Sequence, residues 1–236
     1  MAVIVTIRVD PITGKSELVG SRLNQASEIW ASKGAKTRVA FISMGLNAGQ
    51  FLFAAAFEDF SSTMTAMESV YMDPAMQELM QQREREPGGK MIGPNMFRTI
   101  YGELGTLQEK AHLIRYYQMP RHNIPAAIEL MGEIDALSDD VNLTAVAPVA
   151  HEQMGMIAGV YRFNSMAHAG KAIDEVGMSE AFQNLVNKAN TLGTLTSAQM
   201  NITLYLMPGR NKPIYSSLFF NTLSSSNPLS QAFLHP

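Results

Sequence analysis

The sequence predicts an α+β protein in which a βαββαβ unit occurs twice, followed by a C-terminal extension. Three observations predict it. Apolar patterns of strand period and helix period follow one another in the same order in each half. Met96, Thr99 and Tyr101 of a strand in the first half are matched 104 positions on by Met200, Thr203 and Tyr205. Strands over residues 2–9 and 50–57 are apolar on both faces, so neither face is meant for water. The boundaries fall at 1–106, 107–207 and 208–236.

In the first unit, residues 2–9 alternate: Val3, Val5, Ile7 and Val9 share one face, and Ile4, Thr6 and Arg8 the other. Asp10-Pro11 and Thr13-Gly14 make a turn. A helix over 16–33 carries Leu18, Leu23, Ala26, Ile29 and Trp30, and Gly34 stops it. Residues 37–44 and 50–57 form a strand pair joined by Gly45-Leu46-Asn47-Ala48-Gly49. The Ala54–Ala56 run is a poor strand former and leaves room for close packing. Ser61 or Ser62 can cap the next helix, which Asp73-Pro74 breaks and restarts. The Gly- and Pro-rich stretch REREPGGKMIGPN reads as a loop, and 95–104 as the closing strand. The second unit repeats the order: strand 111–118, helix 124–137, strands 141–147 and 154–162, helix 165–190 broken near Gly177, strand 199–207. Phe60 aligns with Phe163 and Leu79 with Leu185, which makes the broken helix longer in the second unit.

Composition removes several function classes. Residues 1–110 hold 11 Lys/Arg against 12 Asp/Glu, and residues 111–236 hold 7 against 9, so neither half is a basic platform for nucleic acid or an anionic membrane. There are no cysteines, which excludes thiolate catalysis and sulfur-ligated zinc and fits a reducing, cytoplasmic setting. The N-terminus lacks the pattern of a secretory signal, and no apolar run reaches membrane-helix length. Seventeen methionines fall on helix faces and strands, as adaptable core filling.

A βαββαβ unit makes a four-stranded antiparallel sheet with its helices on one face, and two such sheets can pack face to face with four helices outside. Here the chain resembles the dimeric α/β-barrel superfamily of ferredoxin-like domains, over about residues 2–207. Phe60, Ser62, Asp73, Pro74, Met76 and Leu79 carry the likeness in the first unit, and Phe163, Ser165, Ser179, Phe182 and Leu185 in the second. The resemblance implies a fused barrel but selects no subfamily. The superfamily spans cofactor-independent monooxygenases of the antibiotic-biosynthesis type, haem-degrading monooxygenases, muconolactone-isomerase-like enzymes and chlorite-dismutase-like haem proteins. Its haem-degrading members place a histidine on the second helix. The matching stretches here, PAMQELMQQ and SEAFQNLVNK, have none, so no cofactor is expected.

Of the histidines, His168 is the acid/base candidate, set against a reading as a solvated helix-start residue. His151, beside Glu152 in a hairpin loop, reads as surface. Arg8, Arg38, Arg98 and Arg115 lie in strands and must find an acid, a carbonyl or a ligand carboxylate, with Asp10, Glu58 and Glu103 as protein partners. Tyr101, Tyr116, Tyr117 and Tyr205 offer hydroxyls on apolar bodies, for lining a pocket or for core packing. The expected ligand set is therefore Arg8, Tyr101, Arg115, Tyr117 and Tyr205, with His168 as base.

Two functions compete. One is a cofactor-independent monooxygenase or isomerase acting on an apolar or aromatic compound between the sheet and helices of one repeat. The second repeat is preferred, because the first has no ionisable group facing Ala54–Ala56. The other is a non-catalytic homo-oligomer, with the aromatic-bearing extension docked on its own barrel or on a neighbouring subunit.

Overall fold

Two side-chain periods set the architecture. In β1 (Val3–Pro11), Val3, Val5 and Val9 are buried on the side that faces helices, while Ile4, Thr6 and Arg8 point into the interior of a barrel. The computed structural model describes residues 1–106 and 108–204, so Tyr205 and the 208–236 extension lie outside the described residues. After β1 come α1 (Ser16–Ser32), β2 (Lys36–Gly45), β3 (Phe51–Phe57), α2 (Phe60–Tyr71), α3 (Pro74–Arg85) and β4 (Gly89–Tyr101). Then follow β5 (Ala111–Gln118), α4 (Ile124–Asp135), β6 (Asn142–Ala150), β7 (Met156–Phe163), α5 (Met166–Ala172), α6 (Glu180–Leu192) and β8 (Thr194–Thr203).

The eight strands close into one antiparallel barrel in the order β1-β3-β2-β8-β5-β7-β6-β4. Each half contributes an arc with the same internal order, β4-β1-β3-β2 and β8-β5-β7-β6. The arcs do not merely face each other, as expected from sequence. They join edge to edge through two hydrogen-bonded seams, β2 with β8 and β4 with β6. Closure leaves no strand edge of the barrel unpaired.

There are six α-helices among the described residues rather than four, because each expected broken helix is two helices with separate caps. Asp59 caps α2 through the Ser62 amide at 2.7 Å, in place of the expected Ser61 or Ser62, because the helix already begins at Phe60. Asp73 caps α3 through the Ala75 amide, with Pro74 as the first helical residue. In the other half Ser165 and Ser179 cap α5 and α6, each 106 positions after its counterpart, 59 to 165 and 73 to 179. A π-helical turn, Ile173–Gly177, bridges α5 and α6. This register corrects one sequence alignment: Phe163 ends β7 and answers Phe57 at the end of β3, not Phe60. The helix pair is accordingly no longer in the second half between its two caps. Met96 and Met200 do correspond, opposite Val5 and Leu113 on the respective neighbouring strands.

Two strands begin earlier than expected. The Gly- and Pro-rich stretch is part of β4, paired with β1 from Gly89 onward, and β8 begins at Thr194, paired with Gln118. Outside the barrel, Trp30 is 3% exposed and packs on Phe53 and Phe57, with ring centroids at 5.8 and 6.2 Å. The second half buries Tyr117, Met131, Tyr161, Phe163 and Phe182 in the same way.

The seams fix two glycines. Gly45 (φ 81°) ends β2 against β8, and Gly102 (φ 66°) follows β4 against β6. A Cβ on either would strike a backbone carbonyl oxygen across the seam, that of Ala198 or of Leu143. Gly14 has a similar φ of 82° but open space around it. Gly14→Ala is expected to show only the left-handed penalty of about 1–2 kcal/mol, and Gly102→Ala a clearly larger loss. Urea unfolding of the two variants checks the order, and equal losses would remove the seam from the argument.

Candidate functional site

The side chains of the described residues do not fill the barrel interior. It encloses a cavity of about 1450 Å³ lined by all eight strands, larger than the ~300–1,000 Å³ of common ligand pockets. Small residues explain part of this. Ala54 and Ala56 point inward on β3, while Ala55 faces the helices and is fully buried. The alanine run that looked ill suited to a strand is what keeps the lumen wide. One wall is apolar, built from Phe97, Ile114, Val146, Met156 and Ala158 with Ile4 and Val160 beside them.

Polar side chains collect in two groups. In the first, Arg38 Nη1 meets His112 Nε2 in a short contact, and Arg38 Nη2 donates to the Thr106 carbonyl. Arg162 Nη1 donates to the Glu103 carbonyl at 2.7 Å, and its Nε lies 3.4 Å from Glu109 Oε1. That ion pair is buried on both sides. Glu109 also accepts from the Thr106 amide at 2.7 Å and from Asn142 Nδ2 at 2.9 Å. This group ties the connection between β4 and β5 to the barrel. Gln199 donates to Asn201 Oδ1 nearby in the lumen wall, and both are buried.

In the second group stand Arg8, Tyr116 and His151. Arg8 Nε is buried without a hydrogen-bond partner among the described residues. Burial raises the Tyr116 hydroxyl to about 12, against the opposing pull of the Arg8 charge, so it stays protonated and able to donate. The His151 ring packs on Phe97 with centroids 5.4 Å apart, and its Nδ1 accepts from the Gln153 amide at 2.9 Å. His151 therefore lines the lumen instead of the outer surface, because its hairpin folds over the barrel opening. Burial chiefly, and the Arg8 charge, lower its pKa, while Glu152 opposes them.

Of the residues singled out from sequence, Arg8 lines this cavity. Arg115 faces the helices, stacked over Phe182 at 5.2 Å and Tyr161 at 5.6 Å. It borders a crevice of about 50 Å³ between the sheet and helices of the second half, room for a few waters at most. Tyr117 is buried in the helix-side core, and Tyr101 donates to Asp135 Oδ2 at 2.9 Å. His168 sits in the first turn of α5, where its Nδ1 accepts from the Asn164 amide at 3.2 Å and its ring meets the Phe163 ring edge-on at 5.7 Å. Tyr205 lies outside the described residues. The statement that nothing ionisable faces the alanine run is corrected: Ala54 is flanked by Thr6 and Arg38 on its neighbouring strands, and Arg8 lines the same lumen. Tyr116 was among the candidate pocket tyrosines but outside the expected ligand set, and His112 and Arg162 were not singled out for the lumen. Strict alternation along β5 and β7 was the signal available for all three.

On the helix side, the place where the haem-degrading pattern would put a ligand lacks both a histidine and space. Neither α3 nor α6 holds a histidine, and the crevice beneath the second-half helices is far smaller than a porphyrin. Among the described residues no three His, Asp or Glu side chains gather as a metal site, and no helix is long and apolar enough to cross a membrane.

No protein-family model and no curated protein matches the sequence. Solved structures do match in fold. A candidate monooxygenase from Fusobacterium nucleatum superposes with a TM-score of 0.59 at 5% identity, covering 90% of this chain and 96% of its own. An anthrone oxidase-like protein gives 0.57 at 9% identity over 89% and 95% of the two chains. A candidate monooxygenase from Lactobacillus acidophilus gives 0.54 at 4% identity over 86% and 94%. At these identities the likeness is one of fold.

Burial first, then the Arg38 and Arg162 charges, lower His112 to about 3. An unfolded histidine titrates near 6.5. Between those values the unfolded chain takes up a proton that the folded chain refuses, so this site costs stability as pH falls from about 6.5 toward 3. His112→Gln keeps an acceptor for Arg38 and cannot titrate. Chemical denaturation between pH 7 and 4 is expected to show a shallower acid loss in the variant, by up to about tenfold in the folding constant per pH unit. Parallel curves would mean that His112 is charged in the folded protein.

Proposed function

We propose that this chain, which has the dimeric α/β-barrel fold, binds an apolar or aromatic small molecule inside its barrel. The observation that carries the reading is the wide lumen with one apolar wall and polar groups at its margins. A packed protein interior holds few voids larger than a water molecule, so an open lumen lined this way is a binding volume. In its enzymatic form the reading is a cofactor-independent monooxygenase or isomerase in the cytoplasm. The fold neighbours support that class by name alone. The repeated strand order and the recurring caps support a description of the barrel as two fused ferredoxin-like repeats, 1–106 and 107–207, with 208–236 as an extension. His168, Tyr101, Arg115, Tyr117 and Tyr205 belong to a second possible location, on the helix side of the second repeat, which the small crevice there disfavours.

Ligands that bind the folded state raise its melting temperature. A panel of hydrophobic aromatics, anthrone among them, is expected to contain stabilising compounds. Ala54→Phe, which places a ring in the lumen, is expected to abolish the shift while leaving the fold intact by circular dichroism. An oxygen electrode with anthrone tests the oxygenase form. A shift that survives Ala54→Phe would move the site out of the lumen.

The alternative, a non-catalytic homo-oligomer, is favoured by one observation: Met64, Tyr71 and Met72 are more than half exposed on or just after α2. Tyr71→Glu with Met72→Glu is expected to reduce the mass in light scattering if that face assembles copies of the chain.

A further inference from the structure

Resting on the lumen reading, we propose that the lumen takes a carboxylate, with the Arg8 guanidinium as its receptor and the Tyr116 hydroxyl as a second donor, and that the ligand is an apolar monocarboxylate.

The charge balance of the lining is the first argument. The whole chain carries a net charge of −3. The cavity lining has the opposite sign: Arg8, Lys36, Arg38 and Arg162 border it against the single carboxylate of Glu152. Two of these cations are already engaged, Arg162 with Glu109 and the Glu103 carbonyl, Arg38 with His112 and the Thr106 carbonyl. Lys36 is exposed at the end of its strand.

Arg8 differs from all three. Its guanidinium makes no ion pair or hydrogen bond with any other described residue, and its Nε is shut off from solvent. A buried donor left unmade costs stability, and a charged one costs more. Asp10, Glu58 and Glu103, the acids that the sequence offered as partners, are all exposed and none pairs with it. A buried donor left unmade calls for an explanation, and in a wide lumen the acceptor of a ligand supplies one.

The surroundings define that ligand. A guanidinium presents paired donors in a plane that match the two oxygens of a carboxylate. Tyr116, on the inward face of β5, is held protonated and so donates. Its pKa and that of His151 both respond to the Arg8 charge, which puts the three within electrostatic reach of one another. Because His151 Nδ1 accepts a backbone amide, the proton of its neutral ring sits on Nε2, a third donor. Beside this cluster one wall is Phe97, Ile114, Met156 and Val160, which suits an apolar body, and the lining cations Arg38 and Arg162 are already engaged by protein groups.

Naphthalene-2-carboxylate and naphthalene-2-carboxamide separate the two ideas, because they share a body and differ in charge. With the full chain in isothermal titration calorimetry, the carboxylate is expected to bind at least about tenfold tighter. Arg8→Met is expected to erase that preference while keeping carboxamide binding. It is also expected to melt at the same or a higher temperature without ligand, since a half-buried guanidinium whose Nε lacks a partner has been removed. Tyr116→Phe is expected to reduce the preference in part. Equal binding of both compounds by the unaltered protein, or a preference that survives Arg8→Met, overturns the carboxylate assignment and leaves the lumen reading standing. A lower melting temperature of Arg8→Met means that Arg8 is structural and also overturns the assignment. Binding of neither compound, with palmitate and benzoate equally inert, overturns both.

Discussion

Strand closure is the constraint on which the rest of the structure depends. Because β2 bonds to β8 and β4 to β6, every strand has two neighbours and two covered faces. One face must satisfy helices, and it does so with large apolar groups such as Phe51, Phe53 and Ile157. The other must satisfy a space that the ring of strands defines and that no helix of the described residues enters. An eight-stranded ring is only just fillable by side chains. Alanines on β3 and β7 decline to fill it, and the result is an open lumen. The seam glycines follow from the same closure, since the carbonyls that cross at Gly45 and Gly102 leave no room for a Cβ.

Charges in such a lumen divide according to whether the protein supplies their partners. Arg162, Glu109, Asn142 and the Glu103 carbonyl form a network in which each member has a partner, although Arg162 Nε has only the ion-pair contact with Glu109, and its effect is structural, holding the link between the two arcs. His112 belongs to that network as a neutral acceptor, which burial between two arginines enforces. Arg8 and Tyr116 have the opposite character, with donors in place and no acceptor among the described residues. The two groups share a cavity and a sign of charge, so composition alone does not tell them apart. The partner count does.

Much of the fold was legible because strand and helix periods are local. The element order, the Pro74 restart with its Asp73 cap, the interruption near Gly177 and β5 at 111–118 all lie where the pattern put them. What failed locally was settled by pairing. Gly89 to Pro94 has the composition of a loop, yet β1 supplies a partner and it becomes strand. The site was harder for a sharper reason. In β5, AHLIRYYQ, one face offers Arg115 and Tyr117 and the other His112 and Tyr116. Alternation separates the two faces but does not say which one looks inward. That needs the neighbouring strands, on which Leu113 lies opposite Tyr161 and Met200 in the helix-side core.

The strand register has a further consequence. Arg8 holds in the first arc the position that Tyr116 holds in the second, Ile4 answers His112, and Arg38 answers Thr144. A barrel assembled from two identical chains must display each inward residue twice, related by a two-fold axis, and so treats both ends of whatever it holds alike. Joining the arcs in one chain lifts that symmetry. The residues that a two-fold axis would make identical are chemically different in this lumen.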